Sequence, residues 1–379
     1  MTQIERVLIA ADKFKGSLTA VQVAEHVTAG LHGIRPDLVV EALPVADGGD
    51  GTVAAAVAGG FERREARVTD PLGAPVNASW ALRGETAIVE MAEASGLQLL
   101  PRGTFAPLTA TTRGTGELLL AALEAGARTI VLGVGGSATN DGGAGMLQAL
   151  GADLLDADGE PVGPGGGPLA GLARADLSGL DPRLAGVEII LACDVDNPLT
   201  GPHGAAAVYG PQKGATAADV ATLDAALDRF AQVLAEAVGP RARECASAPG
   251  AGAAGGIGYA ALVGLKAAFR PGIEVLLDVL DFDAALARAD LVITGEGSMD
   301  AQTLHGKAPA GVAAAARAAN KRVVAVCGRL AIEEEAVRAA GIEAVYALSE
   351  LEPDPARSMA QAGPLLERAA AALAAEQLG

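Results

Sequence analysis

Residues 129–145 read T-I-V-L-G-V-G-G-S-A-T-N-D-G-G-A-G: a short β-branched run at 129–132, a Gly/Ser/Thr/Asn/Asp cluster, then an apolar segment of helical character at 146–150. Strand, Gly-rich turn and helix in that order make an anion site. Glycine lets the backbone approach a phosphate closely, Ser137 and Thr139 supply hydroxyl donors, and the first N–H groups of the helix are unpaired and lie at its positive dipole end. The stretch predicts an α/β fold in which a buried strand ends in an anion-binding turn.

At about 150 residues per domain, a chain of 379 residues is expected to form two domains. Half of the residues are hydrophobic (50%) but only 3% are aromatic, so the core is built from Ala, Val, Leu and Ile, which suits helices packed on parallel strands. The formal charge of -18 and the lack of any extended basic stretch exclude nucleic acid as a partner. No apolar stretch approaches the length of a membrane span, and the chain runs into strand-like V-L-I-A at 7–10 without a signal peptide, so a cytoplasmic enzyme is expected. Cys193, Cys245 and Cys327 lie far apart and form no CxxC pair, which predicts neither disulfides nor zinc.

Working outward, residues 7–11 form a first strand ending in the loop D-K-F-K-G-S (12–17). Thr19 and Gln22 make a capping box for a helix, and a second strand at 38–43 runs into P-V-A-D-G-G-D-G-T (44–52). Both loops follow strand C-termini, which in a parallel sheet puts them on one edge. From about 67 the texture changes to hairpins, with D-P-L-G (70–73) turning between 67–69 and 76–82, and a further strand at 86–91. Residues 156–171, rich in Gly and Pro, are expected to be a surface loop. A long amphipathic helix is expected at 217–238, and another opens at 250–256. Strands at 291–294, 322–327 and 343–348 return to the first texture and bring its count to five. The prediction is a flavodoxin-like parallel-sheet domain formed by both chain ends, 1–66 plus 289–379, with a mixed α/β domain, 67–288, inserted in it. The loops of the first domain are expected to line a cleft facing the insert.

Only six of the 28 basic residues are lysines, yet Lys13, Lys15, Lys213 and Lys307 sit in Gly-rich or turn-like motifs, where a compact ammonium fits and a planar guanidinium would not. Solvated surface accounts equally well for Lys15. Acidic residues beside glycines recur at Asp47, Asp50, Asp194, Asp196, Glu296 and Asp300. Near a polyphosphate such carboxylates carry Mg²⁺ or deprotonate a hydroxyl, so that carboxylates, lysines and Gly-rich loops together point to phosphoryl transfer. The blander readings are that Asp and Gly serve turns, that Asp141 caps a helix, and that Ser137 and Thr139 cap without a ligand. His203 and His305 have no second ligand at metal-site spacing. No Walker A is present, since Gly306-Lys307 lacks the upstream Gly and is followed by Ala308. Gly133 to Ala138 does match a loose G-x-G-x-x-A dinucleotide fingerprint, with Asp153 about 20 residues on, which keeps a nicotinamide-dependent hydroxy-acid oxidoreductase open. A non-catalytic hydroxy-acid sensor is the third reading.

Nine motifs in order resemble bacterial glycerate kinases of type 1: A-D-K-F-K-G-S-L-T (11–19), P-V-A-D-G-G-D-G-T (44–52), E-M-A-E-A-S-G-L (90–97), T-T-R-G-T-G-E-L (111–118), G-V-G-G-S-A-T-N-D-G-G-A-G-M (133–146), C-D-V-D-N-P-L (193–199), G-P-Q-K-G-A (210–215), G-A-G-A-A-G-G (250–256) and T-G-E-G-S-M-D-A-Q-T-L-H-G-K (294–307). Phe14 and Arg113 stand where relatives often carry Ser and Tyr, and Asp50 where many carry Glu; Phe14 is expected to shape the pocket. The resemblance implies ATP- and Mg²⁺-dependent phosphorylation of D-glycerate, with 2-phosphoglycerate favoured, by a monomer or homodimer. On this reading Gly135, Gly136, Ser137, Thr139 and Asn140 hold phosphates, with Asp141, Arg113 and Lys213 in the same binding set. Lys13 and Lys307 neutralise the glycerate carboxylate or the γ-phosphate, Asp47 and Asp194 share the roles of Mg²⁺ ligand and base, and Glu296 is a reserve acid.

Overall fold

The structure, a computed structural model, describes residues 4–304 and 306–378; His305 lies outside the described residues. Its strands are β1 (Arg6–Ala11), β2 (Val39–Ala42), β3 (Glu62–Thr69), β4 (Pro75–Arg83), β5 (Thr86–Glu90), β6 (Thr129–Gly133) and β7 (Asp153–Asp156). They continue with β8 (Leu172–Asp176), β9 (Glu188–Ala192), β10 (Ala268–Arg270), β11 (Leu291–Met299), β12 (Arg322–Leu330) and β13 (Val345–Ala347). The chain divides into two compact units, one made of Met1–Asp47, Ala54–Gly60 and Pro271–Gly379, the other of Gly48–Val53 and Phe61–Arg270.

In the first unit five parallel strands stand in the order β13-β12-β11-β1-β2. Counted along the unit this is the 2-1-3-4-5 order of flavodoxin-like sheets, and the direction of winding reverses between β1 and β11, where ligands bind in such folds. The strands β1 and β11 are buried along almost their whole length, as a sheet covered on both faces requires. Thr19 caps the helix Ala20–Ile34 through the capping box with Gln22, and that helix buries Val23, Val27 and Leu31 in a core shared with Leu366 and Leu373 of the C-terminal helix Ala362–Gln377. Phe14 belongs to this core at 2% exposure. Strand β11 extends to Met299, well past the expected end at 294. Residues 295–298, G-E-G-S, have weak β propensity, but pairing with β12 continues through Ser298 and Met299 and carries Glu296 on the strand.

The sheet of the second unit runs β10-β9-β6-β5-β4-β3, parallel from β10 to β5 and antiparallel from β5 to β3. The expected 70–73 turn forms because the Asp70 carboxylate accepts the N–H groups of Leu72 and Ala74, each at 2.8 Å. Residues 156–171 are not a simple surface loop. They connect the antiparallel pair β7–β8, and Gly165, Gly166 and Leu169 are buried. The helix Ala217–Val238, with a Thr216–Asp219 capping box, buries Leu223, Leu227, Phe230 and Leu234. The helix assigned to Ala253–Gly264 is irregular at its start, with Ala254, Gly255 and Gly256 all at positive φ. No helix among the described residues is long and apolar enough to cross a membrane.

Candidate active site

In the first unit the winding reversal gathers carboxylates and ammonium groups. Asp12 follows β1 directly, and its N–H donates to the Gly295 carbonyl of β11 at 2.8 Å. It is 8% exposed, with the Lys13 Nζ 3.7 Å from its Oδ1. Burial pushes the Asp12 carboxyl up to about 6; Lys13 opposes the rise, while Asp47 and Glu296 add to it. Glu296 is also raised, chiefly by burial, with Asp300 and Asp47 adding and Thr303 and Lys307 opposing. Thr303 Oγ1 donates to Glu296 Oε1, and the Asp300 N–H donates to Thr303 Oγ1 at 2.9 Å. Thus Asp12, Asp47 and Glu296 feel one another's charge, with Lys13 and Lys307 among them. Lys307 starts the helix Ala308–Ala318, and among the described residues no side chain caps that end, which suits its first N–H groups, those of Ala308 and Ala310, to an anion. Sequence reasoning passed over Asp12; its place at the end of the first strand, between Ala11 and Lys13, was the available signal.

In the second unit the Gly-rich turn after β6 is held from several sides. A Cβ on Gly133 would lie 2.5 Å from the Gly48 carbonyl oxygen, and one on Gly135 would lie 2.5 Å from the Gly49 Cα. These glycines admit the 48–51 backbone, a role that the anion-loop reading did not foresee. Gly136 is exposed at φ 75°, Ser137 is 7% exposed, and Thr139 and Asn140 are fully buried. Asn140 Nδ2 donates to the Pro107 carbonyl at 3.2 Å, and neither Thr139 Oγ1 nor Asn140 Oδ1 has a hydrogen-bond partner among the described residues.

Asp141 stands with the blander reading. Fully buried, it accepts the N–H and Oγ1–H of Thr112, both at 2.8 Å, and the N–H groups of Gly143 and Gly145 at 3.1 and 3.3 Å. Its carboxylate thus joins the start of the helix Ala144–Ala149 to the start of the helix Arg113–Glu124. Burial raises its pKa, and these donors oppose the rise. Lys213 is likewise internal: it is 1% exposed, its Nζ donates to the Thr139 carbonyl at 2.6 Å, and burial pulls its pKa down to about 7 against the opposing charge of Asp141. It supports the loop from behind and presents no ammonium to solvent. Arg113 is exposed and pairs with Glu117 at 3.1 Å. Asp194 is exposed in the loop after β9, beside Cys193, whose thiol is pushed up to about 11 by burial. In the same loop Asn197 is fixed by the Tyr209 hydroxyl at 2.6 Å.

No group of three or more His, Cys, Asp and Glu side chains among the described residues is placed to hold a metal by itself. Magnesium does not require one, since it keeps several waters and takes one or two carboxylates plus phosphate oxygens. The acidic set of the first unit fits that demand.

The glycerate kinase family model matches residues 7–377. The chain is 50% identical over 346 residues to Glycerate kinase of Bacillus subtilis (strain 168), covering 90% of each chain. It is 48% identical over 347 residues to Glycerate 2-kinase of Escherichia coli (strain K12), again covering 90% of each. A crystal structure described as glycerate kinase 2 from Salmonella typhimurium LT2 matches with a TM-score of 0.85 at 45% identity, covering 98% of both chains.

Proposed function

The chain belongs to the glycerate kinase family, and from that premise we propose that it transfers the γ-phosphoryl group of ATP to D-glycerate, giving 2-phosphoglycerate and ADP. The observation that carries this reading is the set Asp12, Lys13, Asp47 and Glu296 at the winding reversal of a parallel sheet. The name Glycerate 2-kinase on a relative 48% identical supports the choice of the 2-hydroxyl.

In the transfer the glycerate hydroxyl oxygen bonds to the γ-phosphorus as the bond to the ADP oxygen breaks, and the hydroxyl proton passes to a base. Asp12 suits that role, because a carboxyl near 6 is ionised at neutral pH and still basic enough to accept the proton. Lys13 and Lys307 neutralise substrate carboxylate and phosphate charge. Asp47 would hold Mg²⁺, which supplies further neutralisation of the phosphate oxygens. Asp194 is the competing candidate for the base. Gly136 and the Ser137 hydroxyl offer donors to a second anion, while Asp141 and Lys213 brace the turn and the Ala138, Gly143 and Gly145 amides are paired within the protein. The oxidoreductase reading loses its footing, because Gly133 and Gly135 of the fingerprint already face the 48–51 backbone.

A coupled assay for ADP release with D-glycerate, ATP and saturating Mg²⁺ tests the reading. ADP formation that depends on D-glycerate is expected, and its absence would refute the proposal.

A further inference from the structure

Glu90, the last residue of β5, is a buried carboxylate that the transfer chemistry leaves without a role. It is 2% exposed, and its oxygens accept the Gly51 N–H at 3.1 and 3.2 Å and the Val53 N–H at 3.2 Å. These are amides at the start of the helix Thr52–Ala58, which lack partners within the helix. Thr52 Oγ1 closes the same turn on the Gly49 carbonyl at 2.6 Å. The same turn also meets Gly133, the register partner of Glu90 on β6, and Gly135, where any side chain would collide with it. One residue before this segment in the chain stands Asp47. Burial pushes Glu90 up to about 7, with Asp50 and Glu93 adding repulsion and the two backbone donors opposing it. A neutral side chain would avoid that burial penalty, so packing alone gives no reason for a charge here.

We propose that Glu90 is a positioning residue, whose carboxylate clamps the 48–53 turn and so fixes Asp47 for phosphoryl transfer. The proposal rests on the reading of Asp47 as part of the transfer machinery. The ionised form accepts at both oxygens, whereas in the protonated form one oxygen carries a proton and the Gly51 and Val53 N–H groups must share the other. The charged groups facing Glu90 are Asp50 and Glu93, and both favour its protonation.

The test compares full-length wild type, Glu90→Gln and Asp47→Asn by steady-state kinetics with D-glycerate and Mg-ATP, and by thermal denaturation at pH 8. Misplacement by about 1 Å costs on the order of 100-fold in rate, so Glu90→Gln should lower kcat by about 10- to 100-fold. The KM for ATP should stay within about twofold of wild type, because uniform binding is untouched. Removing a buried charge should leave the Tm at pH 8 unchanged or higher. The acid limb of kcat should move from a midpoint near the Glu90 value of about 7 toward the Asp12 value of about 6. A fall in activity that merely follows a fall in Tm would overturn the clamp, as would a wild-type kcat and acid limb in Glu90→Gln while Asp47→Asn is inactive. A wild-type kcat in Asp47→Asn would overturn the reading of Asp47 itself.

Discussion

Lys213 Nζ reaches the carbonyl oxygen of Thr139 at 2.6 Å from a position that is 1% exposed, which makes this lysine a brace inside the second unit. Replacing it with Met keeps the apolar stem and leaves the Thr139 carbonyl unpaired, at a cost of about 1–3 kcal/mol. The sign of the pH effect follows from a pKa lowered from 10.5 to about 7. The lysine's contribution is fully present above the unfolded value and is lost as pH falls toward the folded one. The Tm difference between wild type and Lys213→Met should therefore grow in favour of wild type as pH rises from 7 toward 10. A difference that shrinks with rising pH would contradict the burial of this ammonium.

Asp141 accepts two bonds from Thr112 and two backbone bonds from its own turn. Asn can accept at only one of the two side-chain positions, so Asp141→Asn should lose about 1–3 kcal/mol in urea unfolding. Unchanged stability with a raised KM for ATP would return Asp141 to the ligand set.

Asp12→Asn removes the proposed base while keeping its size. General-base catalysis contributes about 10²- to 10⁴-fold, so kcat should fall within that range while Asp194→Asn stays within about tenfold of wild type. In Glu90→Gln, where that second buried carboxyl no longer titrates, kcat/KM should decline as pH falls through about 6, because the Asp12 carboxyl must be ionised to accept the proton. The reverse ranking of the two variants would assign the base to Asp194.

Lys307→Ala removes an ammonium at the start of the helix Ala308–Ala318. Loss of one positioned donor to developing charge costs about 10²- to 10³-fold in kcat, and kcat/KM should fall comparably with the circular dichroism spectrum retained. Near-normal activity would remove Lys307 from the catalytic set.

Much of the architecture was legible because local signals and tertiary structure agree. The capping box at Thr19, the Asp70 turn and the apolar run of β6 each specify their element without distant help. Strand pairing is less local: G-E-G-S gives no sign that β11 continues to Met299, since the β12 backbone enforces it. The β7–β8 pair was hidden by glycines that are needed for burial, as at Gly166, whose Cβ would lie 2.2 Å from the Asn140 carbonyl oxygen. At the candidate site the residue types were legible but their facing was not. Lys213 and Asp141 read as phosphate ligands because a motif does not reveal which polar groups turn inward. Asp12 and Glu90 acquire their shifted titration only from burial among other carboxylates.

The central claim is phosphoryl transfer to one hydroxyl of D-glycerate, and phosphorus NMR of the reaction with Mg-ATP tests it most directly. The account predicts one new phosphomonoester signal, coupled to the single proton on C2 and growing in step with ADP. ATP turnover without a glycerate-derived phosphoester, or a signal coupled to the two C3 protons, would contradict it.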